Sequence, residues 1–183
     1  MKIIILAACA AGFGAALPAS AGVMTIGGSF AEGCYRFAES RVGTVDALAT
    51  CDRAFIDQAL SREDEFATHV NRGIVRMHRR DFASAQADFD QAAAMIPTRG
   101  EPWLNMGVLR LKQADSAGAI PLFDKALTLG TEAPEVAFYG RGLAHEDQGN
   151  LKAAYADLRR AVELRPKWPE PSRELARYQV RSR

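Results

Sequence analysis

Residues 103–126 read WLNMGVLRLKQADSAGAIPLFDKA, and their spacing returns on either side, as HVNRGIVRMHRRDFASAQADFDQA at 69–92 and FYGRGLAHEDQGNLKAAYADLRRA at 138–161. Gly73, Gly107 and Gly142 stand 34 and then 35 residues apart. Twelve residues after each glycine comes an alanine (Ala85, Ala119, Ala154), and seven later another (Ala92, Ala126, Ala161). Between each alanine pair lies a bulky apolar residue, Phe89, Phe123 or Leu158. Pro97 and Pro166 close the first and third units, where the second has Thr131. Self-similarity at this period marks stacked helical units, each burying its apolar face against the next.

Each unit divides into two helices. Val70, Ile74 and Met77 follow i, i+4, i+7 spacing, which predicts a helix from about Phe66 to Arg79. Arg80-Asp81 makes the turn, and a second helix runs from Phe82 to about Ile96 with Ala85, Phe89 and Ala92 inward. Glycine inside a helix costs about 1 kcal/mol relative to alanine, so its return in three equivalent places calls for a packing reason. Pro121 falls inside the second helix of the middle unit. With Ser116 as N-cap it would lie within the first turn or so, where a missing donor matters least. The extra residue of the 35-residue interval belongs in a loop, Gly130 to Pro134.

At these positions the chain resembles the tetratricopeptide repeat (TPR) family over roughly residues 66–168. The resemblance implies an all-α chain, a right-handed α-solenoid of antiparallel helix pairs, with three TPR units at about 66–99, 100–134 and 135–168. It also implies a reason for the glycines, which let the partner helix approach opposite Ala85, Ala119 and Ala154. As to function, it implies a scaffold whose first helices line a concave groove for a protein or peptide partner. The groove residues it points to are Val70, Ile74, Met77, Leu104, Asn105, Val108, Leu111, Tyr139 and Leu143, with Lys112 and Glu146 at the edge. Such an apolar surface suits an amphipathic helix. The same residues also have a packing reading, because neighbouring first helices press on one another. One known groove of the family, the carboxylate clamp, needs lysine, arginine and asparagine at set positions. Only Asn105 matches; Val70, Ile74, Val136 and Gly140 replace the others, so clamp function is not expected.

The N-terminus reads as a leader. Lys2 precedes an apolar run from Ile3 to Leu17, Pro18 breaks it, and Ala19-Ser20-Ala21 offers a cleavage site before Gly22. The run is shorter than the roughly 20 apolar residues that span a bilayer, so the mature protein is expected in the periplasm or secreted, without stable membrane insertion. A second reading takes Leu6-Ala7-Ala8-Cys9 as a lipobox with lipidation at Cys9, although the apolar segment before that cysteine is short. Losing Lys2 leaves 22 basic against 22 acidic residues. That balance does not point to nucleic acid, which calls for a basic excess.

Cys34 and Cys51 then remain, and an even pair in an exported chain reads first as a disulfide, with two buried free thiols as the other possibility. They are 17 residues apart, the interval that also separates Arg72 from Phe89, Met106 from Phe123 and Arg141 from Leu158. With a turn at Gly43-Thr44 and a rise of 1.5 Å per residue, the two cysteines are level on antiparallel helices. Ala47 and Ala54 take the places of the paired alanines, so residues 22–61 form a degenerate helix pair. Ser61 to Asp64 fits a capping box that starts the next helix. At the other end, residues 169–183 are expected to cap the array with a helix from Arg173 to Val180, carrying Leu175, Tyr178 and Gln179 on one side and Trp168 near its start.

No set of residues converges on chemistry. His69 stands where the family usually has a large aromatic, filled by Trp103 and Phe138 in the next units, and His78 and His145 lie in polar surroundings. Asp88 and Asp90 flank Phe89 and are expected to point apart. The chain is expected to be no enzyme, with neither cofactor nor metal. An alternative function is an accessory structural subunit of a cell-envelope complex. It would use its flanks or the basic C-terminal end, where eight basic residues follow from Arg159 onward against three acidic ones.

Overall fold

The computed structural model describes residues 3–7, 22, 29–57 and 59–182. Four antiparallel helix pairs follow one another: α1 (Ser29–Glu39) with α2 (Val45–Asp57), α3 (Arg62–His78) with α4 (Phe82–Met95), α5 (Glu101–Lys112) with α6 (Ser116–Thr128), and α7 (Pro134–Asp147) with α8 (Leu151–Leu164). A short helix, α9 (Pro169–Leu175), lies on α8. The first helices are neighbours in space, α1 to α3 to α5 to α7, and each second helix packs on the first helix of the next pair. The chain is therefore an all-α, right-handed solenoid. Among the described residues its extended backbone is one antiparallel ladder, β1 (Ile3–Ala7) with β2 (Tyr178–Ser182), in which Ile3 faces Ser182 and Ala7 faces Tyr178.

The turns explain why the pairs repeat. Each first helix closes on a residue with left-handed backbone: Arg41 (φ 57°), Arg80 (φ 65°), Ala114 (φ 60°) and Gly149 (φ 74°). The amide after each reaches back to the helix, as Asp81 N–H does to the Arg76 carbonyl (3.0 Å), Asp115 to Arg110 (2.9 Å) and Asn150 to His145 (2.8 Å). That is the Schellman closure, which satisfies carbonyls a helix end would otherwise leave open. In the three repeats the next side chain is at once the N-cap of the second helix. Asp81, Asp115 and Asn150 accept from the amides of Ser84, Gly118 and Ala153. Two residues thus end one helix and begin another.

Close approach does the rest. A Cβ on Gly73 would lie 2.4 Å from the Phe89 ring, and one on Gly107 would lie 2.7 Å from that of Phe123. Phe123 is gripped from the other side by Gly140 of the following first helix, where a Cβ would meet the ring at 2.4 Å. Ala85, Ala92, Ala119, Ala126, Ala154 and Ala161 are all fully buried. In the N-terminal pair a disulfide joins Cys34 to Cys51 across α1 and α2, with Cα atoms 4.7 Å apart.

Four expectations change. Helix α3 starts at Arg62, where the expected Ser61 cap places it and a turn before the expected Phe66, because the Ser61 hydroxyl accepts from the Asp64 amide (3.1 Å). The N-cap of α6 is Asp115 and not Ser116, so Pro121 occupies the sixth helical position. The amide it lacks is an interior one, a loss worth about 3 kcal/mol or more. The capping helix stops at Leu175 and does not reach Val180, since the Arg177 amide turns back to the Glu174 carbonyl (3.0 Å) and the backbone then extends into β2. Of the expected leader, residues 3–7 form β1, while residues 8–21, including the lipobox cysteine and the cleavage motif, lie outside the described residues.

Candidate partner-binding face

The nine groove residues come together on α3, α5 and α7, in line along the array. Seven are interior: Val70, Ile74, Leu104, Asn105, Val108 and Tyr139 have 0% exposure and Met77 has 1%. Leu111 and Leu143 are half-buried. The packing reading therefore describes the seven. First helices abut on their flanks, and the glycine contacts pull the second helices against their backs. Residue 22 also comes down on this side, since a Cβ there would lie 3.3 Å from the Asn71 amide oxygen and 3.5 Å from the Tyr35 ring. The Asn105 amide nitrogen donates to the Glu101 carbonyl of its own helix (3.0 Å), so it does not stand open for a peptide backbone. Tyr139 packs edge-on against Trp168, centroids 4.8 Å apart. Burial, with Glu174, Glu170 and Glu146 nearby, pushes its phenol upward.

A polar system missed in the sequence ties the units together. Asp88 is 2% exposed and takes bonds from three side chains: Arg72 (2.8 Å), Arg76 (2.8 Å) and the His69 ring (3.1 Å). Burial alone would raise the Asp88 carboxyl, but the His69 bond and the two guanidiniums outweigh it and hold it below the usual carboxylate value. Arg72 also reaches back to Asp52 on α2 (2.8 Å). The third repeat reproduces this clasp. Arg141 bonds Asp157 of its own second helix (2.7 Å) and Asp124 of the preceding one (2.5 Å). Arg72 and Arg141 occupy equivalent positions, as do Asp88 and Asp157. In the middle repeat the same places hold Met106 and Leu122, and the joint is apolar.

His69 is accordingly a charge-network member as well as a ring packed on Phe55 (4.6 Å), which the packing reading had not foreseen. Asp90 points away from Asp88 and accepts from Gln86 on the surface (3.0 Å). Among the described residues no group of three His, Cys, Asp or Glu side chains is arranged to hold a metal, and no helix is long and apolar enough to cross a membrane. Much of the basic C-terminal end is already paired. Arg177 bonds Glu146 (2.9 Å) and Glu174, Arg159 and Arg160 bond Glu163, and Arg165 lies 3.7 Å from Glu135.

Comparison with known proteins gives a consistent picture. A sequence model described as Tetratricopeptide repeat matches residues 70–135 and 104–169. Tetratricopeptide repeat protein 36 of Xenopus tropicalis is 28% identical over 131 residues, covering 70% of this chain and 63% of that protein. The Homo sapiens protein of the same name is 30% identical over 96 residues, 51% of each. The chain thus spans only part of the length of the curated relatives it matches. Among solved structures, PilW, a widely conserved type IV pilus biogenesis factor, superposes with a TM-score of 0.65 at 26% identity, covering 80% of this chain and 64% of that one. MamA of Desulfovibrio magneticus RS-1 superposes at 0.58 with 20% identity, over 81% and 82%; that likeness shows the fold.

Proposed function

Because the chain belongs to the tetratricopeptide repeat family, we propose that it is an exported, non-enzymatic scaffold that binds a protein partner across the face formed by α3, α5 and α7. The observation that carries this reading is the unbroken stack. Four helix pairs are locked by two arginine clasps and three glycine–phenylalanine contacts, so a partner meets a preformed surface and little order is lost on binding. Export is supported by the leader pattern of residues 1–21 and by the Cys34–Cys51 bridge, since disulfides persist in oxidising compartments. Removal of residues 1–21 would take β1 with it and leave the Tyr178–Ser182 strand without its neighbour. Resemblance to a pilus biogenesis factor supports a part in assembly over one in metabolism.

The half-buried Leu111 and Leu143 are the residues to test, because an aspartate at buried Val108 would break the core instead of the surface. Purified protein with Leu111→Asp and Leu143→Asp should keep its helical circular dichroism and lose its partner in pull-downs from envelope extract. A partner captured as well by this variant as by the unaltered protein would overturn the reading.

A further inference from the structure

The turns of the first three helix pairs lie along one edge of the array and carry positive charge on each. Arg41 sits in the α1–α2 turn, Arg79 and Arg80 in the α3–α4 turn, and Lys112 at the end of α5. The first two turns are in contact, since a Cβ on Gly43 would come within 3.0 Å of the Arg79 amide, and the Arg79 guanidinium donates to the Gly43 carbonyl (3.2 Å). Arg41 continues the row to the far end of the solenoid. It shares a cleft of about 350 Å³ with Arg165, Lys167, Trp168, Pro169 and Glu170. Among the described residues, Arg41, Arg80, Lys112 and Lys167 have no carboxylate within ion-pair distance, in a chain whose other arginines are mostly clasped. Glu170 is the acidic residue in the cleft, so the balance there is positive.

We infer that this row is a docking site for an acidic segment of a protein partner, with carboxylates running from Arg80 and Lys112 past Arg41 into the cleft beside Lys167. The inference rests on the scaffold reading and gives the partner a chemistry. Like charges gathered with no carboxylate at ion-pair distance repel one another, and a bound anion relieves that repulsion. The strain is visible in its neighbours. Burial, with Arg41 and Arg80 close by, pushes the Lys112 amine down, and burial with Lys112 and Arg41 lowers His78 to about 4. A peptide fits better than a membrane. Lys112 is half-buried between turns, where a carboxylate side chain can reach it and a flat headgroup surface cannot. Among the described residues, Val45, at 69% exposure, is the exposed large apolar side chain next to the Arg41 turn.

The test is fluorescence anisotropy of the purified full-length protein with a labelled octaglutamate peptide at low ionic strength. Binding is expected, weakening as salt rises, with none for octaglutamine. Arg41→Gln with Lys112→Gln should weaken it about tenfold or more, and Lys167→Gln by less. Arg79 is left intact because its guanidinium holds the first turn. Leu143→Asp alone, which adds no charge beside Lys112, should bind octaglutamate like the unaltered protein. Retention of octaglutamate by that variant with loss of its partner supports both readings, whereas a partner kept despite it sinks the groove and leaves the cationic row standing. The row itself is overturned if octaglutamate fails to bind, if it binds the Arg41→Gln/Lys112→Gln protein equally well, if inorganic phosphate displaces it at similar concentration, or if phosphatidylglycerol vesicles bind in its stead.

Discussion

In the first two repeats the closest passage between paired helices is a glycine against a phenylalanine ring, Gly73 on Phe89 and Gly107 on Phe123. In the N-terminal pair the corresponding passage is covalent, Cys34 to Cys51 with Cα atoms 4.7 Å apart. Both solutions hold two helices close at the same level of the hairpin, but they fail under different conditions. Shape complementarity depends on volume and is indifferent to redox state; the crosslink acts mainly by restricting the unfolded chain and disappears on reduction. The N-terminal pair has few large buried side chains, with Cys34, Cys51 and small alanines as its core. It stays in register with the array through Arg72, whose guanidinium joins Asp52 of that pair to Asp88 of the first repeat.

The sharpest way to break this relation is at Asp88. Asp88→Ala leaves Arg72, Arg76 and His69 facing a site with no carboxylate, and losing one partner of a buried charge network costs on the order of 3–5 kcal/mol. Urea denaturation should show that loss. The middle repeat supplies its own control, because it stacks with Met106 and Leu122 where the third repeat has Arg141 and Asp157. Arg141→Met alone should destabilise by stranding Asp157. Arg141→Met combined with Asp157→Leu should return to within about 1 kcal/mol of the unaltered protein or exceed it, since well-packed apolar pairs commonly replace buried ion pairs without loss. A double variant as weak as the single one would show that the clasp does more than fill the joint.

A smaller effect is expected from Cys34→Ser with Cys51→Ser. For a loop of this length the entropic model gives about 3 kcal/mol, and it should be felt by the N-terminal pair alone. Hydrogen exchange should speed up in α1 and α2 while α5 to α8 keep their protection. Equal loss of protection along the chain would mean that the pair is an integral part of a single cooperative unit.

The period, the helix pairs and the cysteine bridge were legible because each depends on spacing: 34 or 35 residues between glycines, and 17 between the cysteines. Surface identity was not legible by the same means. Val70, Ile74, Leu104 and Val108 have the pattern of one helical face, and periodicity states that a face is apolar without stating what covers it. The clasps were missed for another reason. Arg72 with Arg141, and Asp88 with Asp157, recur at equivalent places, but the middle repeat interrupts both series with Met106 and Leu122. The strand at Tyr178–Ser182 depends on a partner at the opposite end of the chain, which no local signal announces.

The glycines give the finest gradation and the smallest effects. Alanine gains up to about 1 kcal/mol over glycine in a helix interior, and that gain is the same at every position. What differs is the room. At Gly107 the new methyl would stand 2.7 Å from the Phe123 ring, which is pinned behind by Gly140 and cannot retreat, so overpacking of about 1–3 kcal/mol should outweigh the gain. At Gly142 the facing residue is Leu158, 3.1 Å away at its branching carbon, and a leucine can yield by a few tenths of an ångström where a wedged ring cannot. Gly107→Ala should therefore lower the urea midpoint, and Gly142→Ala should leave it level or raise it. If both alanines destabilise alike, the glycines are retained for the backbone and not for the ring, and the contrast between a steric contact in the repeats and a covalent one in the N-terminal pair would lose its basis.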